Sequence, residues 1–227
     1  MTAHNTSRRV VITVDDELLA ARCARGRVVV IDDDEDVLSA LSALIALEGF
    51  AVEAYPSATA YLQDVALNLP AFSGPYCVLC DVMMPQMDGL ALQRHLANHA
   101  DMPVVLMSGA SGAREAAEAF RGGAVDFLIK PFDADTLLAT LSKALALSRD
   151  RQASQQLQAD LQTRREALTD REQEVARRVA AGHTNPAIAH ELGIALRTVK
   201  LYRQRAFEKL GADTLPDLVR IADKGGL

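Results

Sequence analysis

Residues 27–38, RVVVIDDDEDVL, decide the fold. A short apolar run, Val28 to Ile31, ends abruptly in three aspartates. A helical pattern follows (Val37, Leu41, Leu44, Ile45) and closes at Gly49 before a second apolar run at Ala51–Ala54. Strand, acidic turn, helix and strand in that order form the opening unit of an α/β sheet. A near-copy precedes it at 9–19, RVVITVDDELL, but after Glu17 the helical pattern lasts barely two turns before Arg25-Gly26. The true first strand is therefore 27–31. The copy, with Asp15 and Asp16, belongs to an N-terminal extension over residues 1–26.

Working outward from that unit, the alternation is regular. The periodicity predicts strands near 76–80, 103–107 and 125–129, with helices near 57–67, 89–99, 112–121 and 133–148. Gly122-Gly123 ends one helix, and the Pro- and Gly-containing stretch Asn68–Pro75 is a loop. Five strands, each followed by a helix, give a doubly wound parallel sheet.

The polar residues that end these strands carry the chemistry. Asp32, Asp33 and Asp34 follow VVVI, Asp81 follows YCVLC, Ser108 follows VVLM and Lys130 follows VDFLI. Ligands of such sheets bind outside the carboxyl ends of the strands, so these groups are expected to converge. Carboxylates crowded together repel unless a divalent cation sits among them, and oxygen-only ligands suit Mg²⁺. A cation, a lysine and a hydroxyl around a lone aspartate describe a phosphorylation site.

Bulk composition sets limits. With 227 residues and 49% apolar content, the chain has room for one large or two modest domains with ordinary cores. No apolar run reaches membrane-spanning length, and MTAHNTSRRVV lacks the apolar stretch of a signal peptide, so a cytoplasmic protein without membrane contact is expected. Three cysteines outside a secretory context imply reduced thiols. The net charge of −6 is uneven. Residues 1–150 carry 11 Lys and Arg against 20 Asp and Glu, a net of −9, whereas residues 151–227 carry 13 against 10, a net of +3. Only the second part has the balance of a nucleic-acid partner.

Residues 148–168 are polar, rich in Gln and Arg, and free of Gly and Pro, with only Leu157, Leu161 and Leu168 at helical spacing. They read as a solvated helical linker, open both to continuing the helix from 133 and to pairing with a second linker. Beyond it, Thr169 and Glu172 make a capping-box start for a helix over 170–181. Asn185-Pro186 opens another to Leu192, Gly193-Ile194-Ala195 is a tight turn, Leu196–Leu210 is a basic helix, and Asp213–Lys224 is the last. This is a helix-turn-helix pattern. The basic helix carries Arg197, Lys200, Arg203, Arg205 and Lys209, with an apolar stripe at 196, 199, 206 and 210. Ala195 stands where an N-cap is expected, so that cap is missing, at a cost on the order of 1 kcal/mol.

These motifs, in this order and spacing, carry a resemblance. Residues 27–147 resemble the receiver domains of bacterial response regulators, and residues 166–227 resemble the LuxR-type helix-turn-helix. Joined by the linker at 148–165, they look like a response regulator of the NarL/FixJ family, with FixJ the nearest subgroup. The resemblance implies that Asp81 accepts a phosphoryl group from a sensor histidine kinase. It implies that Asp32 and Asp33 hold Mg²⁺, Asp33 directly and Asp32 through water, with Asp81 and the Met83 backbone carbonyl completing the set. By the same token Ser108 and Lys130 contact the phosphoryl group, Phe127 is the switch aromatic, and Lys130-Pro131 is a cis bond. On the DNA side it assigns Lys200 and Arg197 to the major groove and Thr198 and Arg203 to the backbone, with Arg205 among the basic contacts. Homodimerisation on phosphorylation and binding to promoter DNA follow. Such a protein is not an enzyme with an external substrate, since it assists only its own phosphorylation and dephosphorylation. Tyr202 departs from a common His, which argues against borrowing a relative's operator.

Three rival readings compete. Cys77-Val78-Leu79-Cys80 is a C-x-x-C, but within a strand positions i and i+3 face opposite sides, which opposes a redox pair. An aspartate-nucleophile phosphatase would need a second acid at position 83, where Met stands. A receiver that works without phosphorylation, as an interaction module tied to a DNA-binding domain, is the remaining alternative.

Overall fold

Strand formation follows the β-branched runs, and the parallel order follows from the helices between them. The computed structural model describes residues 10–11, 26–67, 74–97, 102–109 and 113–227. In chain order the elements of the first part are β1 (Val10–Val11), β2 (Arg27–Ile31), α1 (Glu35–Leu47), β3 (Ala51–Tyr55), α2 (Ala58–Leu67), β4 (Tyr76–Asp81), α3 (Gly89–Leu96), β5 (Val104–Ser108), α4 (Ala113–Arg121), β6 (Asp126–Ile129) and α5 (Ala134–Glu166). The sheet order is β1-β3-β2-β4-β5-β6. The strands from β3 to β6 are parallel, with Ile31 beside Tyr55 and Cys80, and Ser108 beside Ile129. β2 sits where the strand order reverses, so the ends of β2 and β4 border the crevice that ligands of such sheets use.

Side chains alternate between two buried layers. Val28, Val30, Cys77, Leu79, Val105 and Met107 face a layer completed by Leu38, Leu41 and Ile45 of α1 and Leu137, Leu141 and Leu145 of α5. Val29, Ile31, Val78, Cys80, Val104 and Leu106 face the other, closed by Ala58 and Tyr61 of α2, Leu90, Leu92 and Leu96 of α3 and Ala119 of α4. Both faces are covered, which is why the strands read as continuous apolar runs. Cys77 and Cys80 therefore lie on opposite sides of the sheet, and burial pushes the Cys77 thiol up to about 12 and Cys80 well above its usual value.

The structure adds detail to the sequence reading in three places. Val10 and Val11, from the near-copy of the first strand, form a short antiparallel edge against Ala54 and Glu53; Asp15 and Asp16 lie outside the described residues. α5 continues without a break through the polar stretch to Glu166. Asp34, with its side chain accepting from Asp36 and Val37, is the N-cap of α1.

The chain divides into two compact units, Met1–Gln152 and Ala153–Leu227. In the second, α6 (Asp170–Ala180), α7 (Asn185–Leu192), α8 (Leu196–Leu210) and α9 (Leu215–Ile221) enclose Val175, Val179, Ile188, Val199, Ala206, Leu210 and Leu218. A π-type turn over Ala222–Gly226 follows α9. Thr169 and Glu172 form the capping box of α6. Thr184, one residue earlier than the Asn-Pro pair suggests, caps α7, leaving Pro186 inside the first turn. No helix among the described residues is long and apolar enough to cross a membrane.

Candidate phosphoryl and nucleic-acid sites

At the carboxyl end of the sheet, three charged groups meet. Lys130 Nζ lies 2.6 Å from Asp81 Oδ1 and 2.7 Å from Asp32 Oδ2. β2 and β4 deliver the carboxylates side by side, and β6 delivers the lysine from across β5. Asp32 is 2% exposed and Asp81 6% exposed, so neither charge is solvated fully. Burial raises the Asp81 carboxyl above its ordinary value, against the opposing pull of Lys130 and of the Met83 N–H and with a further push from Asp32. Burial alone would lower the Lys130 ammonium, but its hydrogen bonds to Asp32 and Asp81 and their charges outweigh that and hold it above the ordinary lysine value.

The loop after β4 holds the Asp81 carboxylate in place. The Met83 backbone N–H donates to Asp81 Oδ2 at 2.6 Å, while the Met83 side chain is two-thirds exposed. Asp32 Oδ1 likewise accepts from the Asp34 backbone at 3.0 Å. Gly89 opens α3 so close behind Asp81 that a Cβ there would stand 2.3 Å from the Asp81 carbonyl oxygen. Sequence reading passed over this glycine; its signal was the Asp88-Gly89 pair opening α3, with Asp88 as the N-cap. Ser108 ends β5, is 1% exposed, and its carbonyl accepts the Lys130 N–H at 2.8 Å. Lys130-Pro131 is cis. Phe127, half-buried beside Leu106, packs on the layer containing α3 and α4.

Asp33 is exposed. Among the described residues no three His, Cys, Asp or Glu side chains gather as a ligand group. The cluster instead offers two carboxylates and one ammonium, an excess of one negative charge, with oxygen donors only. That set fits a cation that keeps several waters and takes substrate phosphate oxygens as ligands, which is the habit of Mg²⁺. A transferred phosphoryl group would find both an acceptor oxygen and a lysine in contact with it.

In the second unit α8 presents a mixed outer face. Arg197, Lys200 and Arg205 are exposed, and so are Leu201 and Gln204, which a count of cations overlooks. Leu196 is 43% exposed and leaves the apolar stripe, because it shares a side of the helix with Lys200, one turn on. Val199, Ala206 and Leu210 are the buried stripe. Thr198 and Arg203 are half-buried. Arg203 donates to Asn185 Oδ1 at 3.2 Å, and its guanidinium lies 5.3 Å from the Phe207 ring centre, so it braces α8 against α7. Ala195 caps α8 with no side-chain hydrogen bond. Glu172, 2% exposed, accepts from Lys209 at 2.6 Å. Burial would raise its carboxyl, but the hydrogen bonds of Lys209 and Thr169 hold it below the usual range. An outward basic face of this kind meets phosphates and base edges.

Comparison with known proteins agrees with both halves. Residues 28–142 match the response regulator receiver domain, and residues 166–222 match the bacterial regulatory proteins of the luxR family. The response regulator protein TodT of Pseudomonas putida is 36% identical over 196 residues, 86% of this chain and 84% of its own. The transcriptional regulatory protein FixJ of Bradyrhizobium diazoefficiens is 35% identical over 204 residues, 89% of this chain and 97% of its own. The solved structure of the response regulator StyR superposes with a TM-score of 0.80 at 32% identity, covering 88% of this chain and 98% of that one. A receiver fold with paired acids and a lysine at its carboxyl edge, followed by a basic helix-turn-helix, places this chain among the two-component transcriptional response regulators of the NarL/FixJ family.

Proposed function

We propose that a sensor histidine kinase phosphorylates Asp81 and that the phosphoryl group switches DNA binding by the second unit. The input is the receiver over 27–147, and the output is the helix-turn-helix over 166–227. The observation that carries this reading is Lys130 Nζ held within 2.7 Å of two buried carboxylates at the strand ends. An ammonium there offsets the charge of both carboxylates. It holds Asp81 ionised against burial and is already in place to follow charge onto a phosphoryl oxygen.

In the transfer, an Asp81 carboxylate oxygen attacks the phosphorus of a phosphohistidine. The P–N bond breaks as the O–P bond forms, and the kinase imidazole takes up a proton. Mg²⁺, held by Asp81, the Asp32–Asp33 acids and the Met83 carbonyl, would supply charge neutralisation on the phosphoryl oxygens. Lys130 shifts from the carboxylates towards the new dianion. The Ser108 hydroxyl donates to a phosphoryl oxygen and draws the end of β5 with it. Phe127, beside Leu106 of β5 in the sheet, turns inward as Ser108 moves, and the α4–β6–α5 face changes shape. Two copies then pair and present two α8 helices to half-sites about one DNA turn apart. A decisive shift requires about 5.5 kcal/mol of preference for the active state, within reach of several charge-assisted contacts and a dimer interface.

The test uses acetyl phosphate or a phosphorylated kinase on wild type and Asp81→Asn. Wild type should take up one Mg²⁺-dependent label, double its solution mass and bind promoter DNA more tightly; Asp81→Asn should do none of these. Absence of an Asp81-dependent label would leave the phosphorylation-independent interaction module as the function. Full label with no gain in mass or DNA affinity would overturn the switch alone.

A further inference from the structure

We infer that Arg164, near the end of α5, is a positioning residue for sequence-specific DNA binding that holds α8 from the end opposite its missing N-cap. Arg164 belongs to the second unit. Its Nη1 donates to the Leu210 carbonyl at 2.9 Å, and Leu210 is the last residue of α8. That carbonyl is one of the four that a helix leaves without a partner inside itself. A guanidinium there satisfies the oxygen and opposes the negative end of the helix dipole.

The notch that admits the guanidinium is built for it. Gly211 ends α8 in the left-handed region at φ 66°, and a Cβ on it would stand 2.3 Å from Arg164 Nη1. Asp160, one turn earlier on α5, aims the same guanidinium through an ion pair of 2.9 Å to Nη2. Leu161 on that turn is 92% buried, and Arg165 donates to the Gly225 carbonyl at 3.4 Å beyond α9. The last turns of α5 therefore grip the non-DNA end of α8 and the chain terminus together.

The other end of α8 has no such hold, since Ala195 offers no side-chain cap. Of the two ends, the distal one carries the side-chain clasps, with Arg164 on the Leu210 carbonyl and Lys209 on Glu172. Base readout depends on the register of Arg197, Lys200, Leu201 and Gln204 in the groove, whereas attraction to phosphates tolerates a small shift. Loosening the Arg164 clasp should therefore weaken specific binding and leave non-specific binding alone.

The test takes the full chain, selects its preferred duplex from a randomised pool, and titrates that duplex and a scrambled one. All variants are kept in the same phosphorylation state. Arg164→Ala should bind the selected duplex about tenfold more weakly, the scale of one charge-assisted hydrogen bond. It should bind the scrambled duplex within about twofold of wild type, with an unchanged salt slope. Arg164→Lys, which keeps the charge and one donor, should recover part of the loss. An equal loss on both duplexes, with a salt slope smaller by about one phosphate, would make Arg164 a DNA contact and overturn the inference. No loss on either duplex would overturn it as well. Melting curves of the same samples identify an unfolded Arg164→Ala, and the outcome is then read from Arg164→Lys against Arg164→Gln. Because binding is compared at one phosphorylation state, failure of the phosphorylation switch would leave this result standing.

Discussion

Lys130 is the residue on which the charge balance of the receiver turns. It faces two carboxylates, and removing it leaves both buried beside each other. Breaking a fully buried pair costs about 3–5 kcal/mol; with the ammonium 24% exposed, the cost of Lys130→Met should be nearer ~2 kcal/mol at pH 7. The sign of the pH dependence follows from the shifts. Asp81 has a raised carboxyl, so its contribution is largest below the ordinary carboxylate value and is lost as pH rises through its raised one. Lys130 is raised too, so its contribution is complete at neutral pH and disappears only on the alkaline side of ordinary lysine. Urea unfolding at several pH values should show the Lys130→Met deficit shrinking as the solution is acidified through the carboxylate range. A deficit that stayed constant with pH would mean that the side chain matters for packing and not for charge.

Among the elements, α8 has two unlike ends. Its start lacks a side-chain cap at Ala195, which the sequence already announces. Ala195→Ser should therefore stabilise the second unit by about 1 kcal/mol, a rise of roughly 4–8 °C in its melting temperature, provided the hydroxyl reaches an α8 N–H. A melting temperature that did not move would show that water already serves those donors. The contrast between the two ends also explains what sequence could and could not reveal. Strand ends were legible because each polar group closes an apolar run, and helix starts were legible because caps act within three or four residues. The Thr169–Glu172 box and the Asp34 cap are of that local kind. Arg164 on Leu210 spans 46 residues, and Gln93 donating to the Ala119 carbonyl at 2.8 Å spans 26. No periodicity marks such pairs, because they depend on how whole helices pack. The contacts of Arg203 with Asn185 and Phe207 are of the packing-dependent kind too, and no spacing in the sequence marks them.

At the scale of the molecule, charge and compactness divide the chain at nearly the same place. The acidic excess of residues 1–150 falls in the first unit and the basic excess of residues 151–227 in the second. Attraction to nucleic acid is thus confined to the part that carries α8, and the acidic part, which repels DNA, is left to receive the signal. Each unit has its own enclosed core, so the two can respond to denaturant separately. Of the two layers flanking the sheet, each contains one of the buried thiols of β4.

That arrangement of Cys77 and Cys80 makes β4 a pair of clocks on one strand. Both thiols are inaccessible and hold their protons tightly while the layers are closed, so a thiol reagent can label them only when a layer opens. With Cys23 replaced by Ser, pulsed alkylation followed by peptide mass analysis should label both at a single rate if the two faces come apart in one event. A faster rate at Cys80 would show that the sheet sheds α2, α3 and α4 while α1 and α5 still hold, and would identify that side as the softer half of the receiver.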